Sequence, residues 1–366
     1  MDDISLPPIP EGITPEWLTL RLRANGTLST HSSIVGLKRE PIGEDVAMMS
    51  SLFRLTPTYA TDLGGAAPAS FIVKYPAKNS AHRDIASAYN FYEREVRFFA
   101  ELAPLTTARC PATFLAQMDG DDFIIVMEDL GDYDVGNQTA GATLAQTELA
   151  LDELAKLHGT FWEKTAGIDW IPRVSNSFHA TNMQTLAPLG WDNMVSNFAA
   201  LFPDGFHDKK DDFLSSIPAL QAHTDRPPIT LAHGDFRMTN LLFGAKPEHQ
   251  PLAIIDWQGL IGRGMQDVTL LMGQSTQTNI RREHERALVQ RYVDKLASQG
   301  VVGYAFDEAW DDYRHTHLHN WAYTSVVAGT LDVSNEKTVA WMSKMIARQV
   351  ATTEDLGLLD LLPFRA

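Results

Sequence analysis

Between His31 and Pro76 the chain carries three apolar or alternating runs, SSIVGLKREPIG, VAMMSSLFRLTPTY and PASFIVKYP, punctuated by Gly and Pro. That texture predicts three strands of an antiparallel sheet. The next segment, ASAYNFYEREVRFFAELA, changes to helical spacing, with Tyr92, Val96, Phe99 and Leu102 on one face and Pro104 as its stop. A hairpin follows in PATFLAQMDGDDFIIVMEDLGDYD. It turns at Asp119-Gly120-Asp121, and its second strand, FIIVM, is apolar throughout before a polar junction. Ahead of the sheet, TPEWLTLRLRANG predicts a short packing helix with Thr14 as cap, Pro15 at the first helical position and Gly26 at the end. Beyond Gly131 the periodicity is helical. TLAQTELALDELAKLHGTFWEKTAG opens with the capping pattern Thr143-x-x-Gln146, buries Leu144, Leu151, Leu154, Leu157 and Phe161, and is expected to close at Gly167. The later RREHERALVQRYVDKLASQG is amphipathic with an exposed basic face. The pattern thus predicts an α+β chain: an N-terminal sheet lobe with one helix over residues 1–130, and a larger helical C-terminal lobe over residues 131–366.

One stretch departs from packing logic. Residues 231–258, LAHGDFRMTNLLFGAKPEHQPLAIIDWQ, place Asn240 five residues after Asp235 and deliver Asp256 at the end of an apolar run. An aspartate and an asparagine at this spacing on a tight loop can point into one cleft, while Leu241, Leu242 and Phe243 anchor the loop. Phosphoryl transfer passes through a loose transition state, so a protein mainly positions its reactants. One carboxylate orients the attacking hydroxyl, and an Asn and an Asp hold Mg²⁺ against the phosphates. Asp235, Asn240 and Asp256 suit those three tasks. Arg237, two residues after Asp235, is placed to neutralise the moving charge or to form a surface ion pair. Lys74 stands among apolar neighbours in FIVKYP and is therefore either edge-exposed or held in the cleft by a partner, with Glu93 and Glu95 as candidates downstream.

The block HGDFRMTN resembles the aminoglycoside phosphotransferase and choline kinase-like superfamily of small-molecule kinases, whose catalytic loop follows H-G-D-x-x-x-x-N. Together with IIDWQ and GRGMQDV it is most similar to the bacterial branch near the ecdysteroid kinase-like proteins and the kinase domains linked to acyl-CoA dehydrogenases; the likeness covers most of the chain. The resemblance implies a bilobed protein-kinase-like fold, ATP and Mg²⁺ as cofactors, and a small-molecule hydroxyl as acceptor. It assigns Asp235 as catalytic base or positioning residue, Asn240 and Asp256 as metal ligands, and Glu95 as partner of a Lys74 that holds the α and β phosphates. It also implies a phosphate loop at Gly43-Glu44-Asp45, where Asp45 stands in place of a second glycine. Met127, Glu128, Asp129 and Leu130 fall at the hinge that contacts adenine, and Asp267 braces the catalytic loop through backbone hydrogen bonds.

Composition narrows the classes. A formal charge of −16 argues against nucleic acid as a partner, and no run approaches a membrane span. The single cysteine, Cys110, excludes an intrachain disulfide, and the acidic, Pro-rich start MDDISLPPIPEG lacks the pattern of a leader, so a cytoplasmic location is expected. No motif specifies an oligomeric state. A protein kinase is disfavoured by HGD in place of HRD and by the absence of G-x-G-x-x-G, DFG and APE. A catalytically silent nucleotide-binding protein should have lost one of Lys74, Asp235, Asn240 or Asp256, and all four are present. His158 falls beside a buried stripe and reads as core. His315, His317 and His319 read as a pocket wall in preference to a zinc site, since only His315 and His319 share a helix face. Trp170, Trp191, Phe198, Phe202 and Phe206, with Trp310, Tyr313, Trp321 and Tyr323, are expected on the substrate side. They favour an apolar alcohol, a sterol-like molecule or a hydroxyacyl compound over an aminoglycoside-type antibiotic, which would want a strongly acidic pocket.

Overall fold

The computed structural model describes residues 6–7, 12–42, 49–61, 67–175 and 177–365, so the expected phosphate loop at Gly43-Glu44-Asp45 lies outside the described residues. The chain divides into one unit of Met1–Leu105 with Cys110–Tyr133 and another of Thr106–Arg109 with Asp134–Ala366.

In the first unit, β1 (Ile34–Ile42), β2 (Ser50–Tyr59), β3 (Phe71–Pro76), β4 (Thr113–Asp119) and β5 (Asp122–Glu128) form a sheet in the order β1-β2-β3-β5-β4, antiparallel throughout. The hairpin turn uses Gly120 at φ 59°, a left-handed conformation that costs glycine nothing. Strand alternation sends Phe71, Val73 and Tyr75 of β3 into a core with Leu55, Ile124, Val126 and the Trp17, Leu18 and Leu22 face of α1 (Pro15–Ala24). Thr14 caps α1, its hydroxyl accepting the Trp17 N–H at 3.1 Å. Lys74 alternates to the other face from the middle of the sheet, in register with Leu52 and Ile125.

The single helix expected after β3 is divided into α2 (Ser80–Ala88) and α3 (Phe91–Arg97) by Asn90, whose φ of 53° breaks the helical path. With α1, the unit therefore holds three α-helices among its described residues. A π-helical turn, Phe98–Leu102, prolongs α3, and Tyr92, Val96, Phe99 and Leu102 are all buried.

In the second unit α4 (Leu144–Phe161) opens with the expected capping box: Thr143 accepts the Gln146 N–H at 3.3 Å, and Gln146 accepts the Thr143 N–H at 3.0 Å. It ends at Phe161, short of Gly167, because Trp162 leaves the helical backbone and Glu163 is left-handed at φ 55°. The helical core is built on α5 (Phe178–Asn197), α6 (Lys210–Thr224), α9 (Phe306–Gly329) and α10 (Glu336–Asp355). This core corrects the aromatic reading for the rings it encloses, while Trp170, Phe202, Trp310 and Tyr323 stay half-buried. Trp191, Phe198, Phe206 and Trp321 are buried in it, with Trp191 stacked on Phe206 at 5.4 Å and Phe206 edge-on to Trp321 at 5.0 Å, so these rings fill volume and line no acceptor site. Tyr313 is likewise fully buried. No helix among the described residues is long and apolar enough to cross a membrane.

Candidate active site

Two short antiparallel ladders set the site. β7 (Thr230–Ala232) pairs with β10 (Leu260–Gly262), and inside that pair β8 (Leu241–Phe243) and β9 (Leu252–Ile254) form a hairpin that also carries β6 (Asp134–Val135). Because Ala232 faces Leu260 and Leu241 faces Ile254, the loops 233–240 and 255–259 leave paired strands side by side. Cross-links then hold them together. The Ile255 N–H donates to the Asn240 carbonyl at 3.0 Å, and the Gln258 and Gly259 N–H groups donate to the His233 carbonyl at 3.2 and 2.9 Å.

His233 locks both loops with its ring. Nε2 donates to the Ile255 carbonyl at 2.9 Å and Nδ1 accepts the Asp235 N–H at 3.2 Å, so the partners fix one neutral tautomer. Below it, Asp267 in α7 (Met265–Leu270) accepts the His233 and Gly234 N–H groups at 2.6 and 3.0 Å. Fully buried, its carboxylate also meets His158 Nε2 at 3.1 Å, and His158 Nδ1 lies 2.7 Å from the Tyr292 hydroxyl in α8 (Thr278–Ser298). His158 is thus a core residue with both ring nitrogens satisfied.

Above this base sit the candidate reacting groups. The Asp235 carboxylate, about a third exposed at 31%, receives Arg237 Nε at 3.0 Å and Asn240 Nδ2 at 3.0 Å. Asn240, 4% exposed, gives its Nδ2 also to the Asp235 carbonyl at 2.8 Å, which turns Oδ1 away as its remaining acceptor. Asp256 follows the pinned Ile255 at φ 63°, a left-handed backbone that costs a residue other than glycine roughly 1 kcal/mol and that aspartate tolerates better than most. Asn240 Oδ1 and the two carboxylates offer only oxygen, the donor type that Mg²⁺ takes, and the His233 imidazole is engaged through both nitrogens. The donor set fits that ion. Arg237 is engaged by Asp235, whose charge, with the Asp235 hydrogen bond and the charge of Asp256, raises its guanidinium pKa against the burial that lowers it. Its guanidinium also lies 5.6 Å from the centre of the Trp341 ring, on α10. Trp341 is a residue that sequence spacing gave no reason to single out.

In the other unit, Lys74 Nζ meets the Glu95 carboxylate at 2.7 Å, with the two residues 7% and 5% exposed. Glu93 instead faces Arg97 at 3.3 Å on the helix surface. At the end of β5, Met127 is buried, and the Glu128 N–H is spent on the Ala112 carbonyl at 2.8 Å. Asp129 is tied to Arg54 at 2.6 Å, to Ser70 at 2.7 Å and to the Gly131 N–H at 2.9 Å. The Leu130 carbonyl accepts the Tyr133 N–H at 3.0 Å, and that segment's shape is thereby set by side chains and turns.

The sequence profile of the ecdysteroid kinase-like family matches residues 45–300. Among solved structures, a candidate aminoglycoside phosphotransferase from Ralstonia eutropha JMP134 superposes with a TM-score of 0.53 at 14% identity, over 95% of this chain and 99% of that one. That likeness shows the fold: an antiparallel-sheet N-terminal part and a helical C-terminal part of the kinase-like phosphotransferase type. The choline kinase of Streptococcus pneumoniae gives a TM-score of 0.47 at 12% identity, over 92% of this chain and 98% of that one. For the macrolide 2'-phosphotransferase of Brachybacterium faecium the values are 0.44 and 12%, over 91% and 97%. No curated protein matches the sequence at a significant level.

Proposed function

Because the chain belongs to the ecdysteroid kinase-like family, of small-molecule kinases, we propose that it transfers the γ-phosphoryl group of ATP to a hydroxyl of a small molecule. The observation that carries this reading is one pair of cross-linked loops that holds all three groups: Asp235 with Asn240 oriented by it on the first, and Asp256, left-handed, next to the pinned Ile255 on the second. Asp235 accepts the hydrogen bond of the incoming alcohol on the exposed part of its carboxylate. As the alcohol oxygen bonds to the γ-phosphorus, its proton passes to that carboxylate and ADP leaves with the electrons of the broken P–O bond. Asn240 and Asp256 would hold Mg²⁺, which when bound neutralises phosphate charge. Arg237 keeps Asp235 in place through its ion pair, and its charge is assigned to the phosphoryl oxygens that become negative. Lys74, oriented by Glu95, is assigned to the α and β phosphates, and the backbone of residues 127–130 to adenine.

For the acceptor we favour an apolar alcohol or hydroxyacyl compound, now on the strength of Trp341. Its half-buried ring, packed at the edge of the helical core, presents an aromatic face 5.6 Å from the Arg237 guanidinium on the catalytic loop. The test is mass spectrometry of purified protein with Mg-ATP and a metabolite extract, with Asp235→Asn in parallel. Loss of a positioned base costs about 10²–10⁴ in rate, so a phosphorylated species should form with wild type and fall by that factor in the variant. No product, together with a melting temperature still raised by Mg-ATP, would leave a binding protein; efficient phosphorylation of kanamycin-type compounds but not hydrophobic alcohols would overturn the acceptor class.

A further inference from the structure

Away from the catalytic loops, the last turn of α6 brings His223 against Asp311 and His315 of α9, and one ligand atom from each of these three residues lies within 4.8 Å of the others. We propose that His223, Asp311 and His315 form a binding site for a divalent transition metal, best suited to zinc. Three observations carry it. His223, 7% exposed, has an Nε2 that is buried without a hydrogen-bond partner, 3.7 Å from Asp311 Oδ2 and 3.4 Å from Asp312 Oδ1. A buried imidazole nitrogen left unbonded has lost its water without a replacement, and a metal bond supplies one.

The spacing is also that of a coordination shell. Around a tetrahedral zinc with bonds of about 2.0–2.1 Å, neighbouring donor atoms stand roughly 3.3 Å apart. Asp311 Oδ2 is 3.7 Å from His223 Nε2, and one donor atom from each of the three residues lies within 4.8 Å of the others, so small side-chain adjustments close the shell. The third observation is the outer shell. His315 Nδ1 donates to the Asp311 carbonyl at 2.9 Å, the contact that orients a metal-bound imidazole and leaves Nε2 with its lone pair. Phe364 covers both rings, at 5.6 Å from His223 and 4.7 Å from His315, and gives the site an apolar wall.

Asp312 is not the carboxylate ligand. Its oxygens are taken by Arg263, by the Tyr304 hydroxyl at 2.8 Å and by Arg226 at 3.3 Å. Arg226 also reaches Asp311 at 3.3 Å, but its side chain is 44% exposed and free to swing into water when a cation arrives. The metal would clamp the end of α6 to α9, with the fourth position open to water.

The experiment is a Co²⁺ titration of the full-length protein after chelator treatment, followed by its visible spectrum, alongside His223→Ala, His315→Ala and, as control, His284→Ala. Wild type and control should take up one equivalent with the intense bands of a four-coordinate site and release it to Zn²⁺. Each of the other variants should weaken binding by more than about 100-fold, beyond the 10–100-fold cost of an outer-shell loss. Weak binding with a six-coordinate spectrum, or binding indifferent to both substitutions, would overturn the proposal in favour of a plain histidine–aspartate ion pair. X-ray absorption of the wild-type zinc complex reads the ligands with no substitution at all. Two imidazoles with oxygen support the site; a sulfur ligand, a single imidazole or no bound zinc refutes it.

Discussion

Lys74 and Glu95 are nearly enclosed, and their contact at 2.7 Å has a stability consequence separate from any role with nucleotide. Two buried opposite charges repay each other's desolvation only while both are present, and removing one leaves the other uncompensated at about 3–5 kcal/mol. Lys74→Met should therefore destabilise the protein by that order in denaturant unfolding, and adding Glu95→Leu should recover most of the loss. Equal destabilisation by the double variant would mean that packing around β3, and not the charge pair, sets the cost. From FIVKYP this lysine was legible as either edge-exposed or partnered, and the place of β3 inside the sheet decides for the partner. The choice of Glu95 over Glu93 was not a matter of spacing. It follows from which side of α3 meets the sheet.

At the scale of elements, the catalytic block was legible because its interactions are local: strand, loop, hairpin and loop follow one another, and Asp235 and Asn240 meet within five residues. What the chain order hid comes from elsewhere. The break at Asn90 and the early end of α4 are decided by single left-handed residues, and Trp191 of α5 and Trp321 of α9 are claimed by a core that only the packed helices define. α7 matters for a similar reason, since it lends Asp267 to two loop N–H groups and to His158. Asp267→Ala orphans all three, and buried donors without acceptors cost about 1–3 kcal/mol each. The variant should melt lower and turn over more slowly even at saturating substrate, because the loop loses its register; an unchanged turnover would deny Asp267 that positioning part. α10 is assigned the opposite signature. If Trp341 faces the acceptor, Trp341→Ala should raise the acceptor KM by roughly 10-fold or more, the loss of about 1.5–3 kcal/mol of apolar contact, and leave the KM for ATP alone. A change in the ATP term would place the ring's effect in Arg237 instead.

For the molecule as a whole, acid is the informative variable. With a formal charge of −16 and an isoelectric point near 5.1, lowering the pH from neutrality relieves self-repulsion, which by itself favours the folded state. The buried histidines oppose this. His319 is enclosed in α9 with neither ring nitrogen hydrogen-bonded, and burial, then the nearby His179, drive its pKa from the ordinary 6.5 down to about 3; His317 is lowered well below 6.5 by burial and by Arg281. Above pH 6.5 both the folded and unfolded forms of these residues are neutral, and they contribute no pH dependence. Between 6.5 and about 3 the unfolded chain takes up protons that the folded chain refuses, so stability falls with pH at up to about 1.4 kcal/mol per unit for each such histidine. His319→Leu isolates the effect, because the change in net charge with pH is otherwise shared with wild type. At pH 7 the variant should be at least as stable, having lost two unbonded buried nitrogens. From pH 6.5 to 5 its unfolding free energy should hold up against wild type by a gap that widens by about 1–2 kcal/mol, measured by chemical denaturation at each pH. Parallel curves would mean that His319 gains a proton while folded, through water or a partner reaching the ring, and that α9 opens there far more readily than its burial implies.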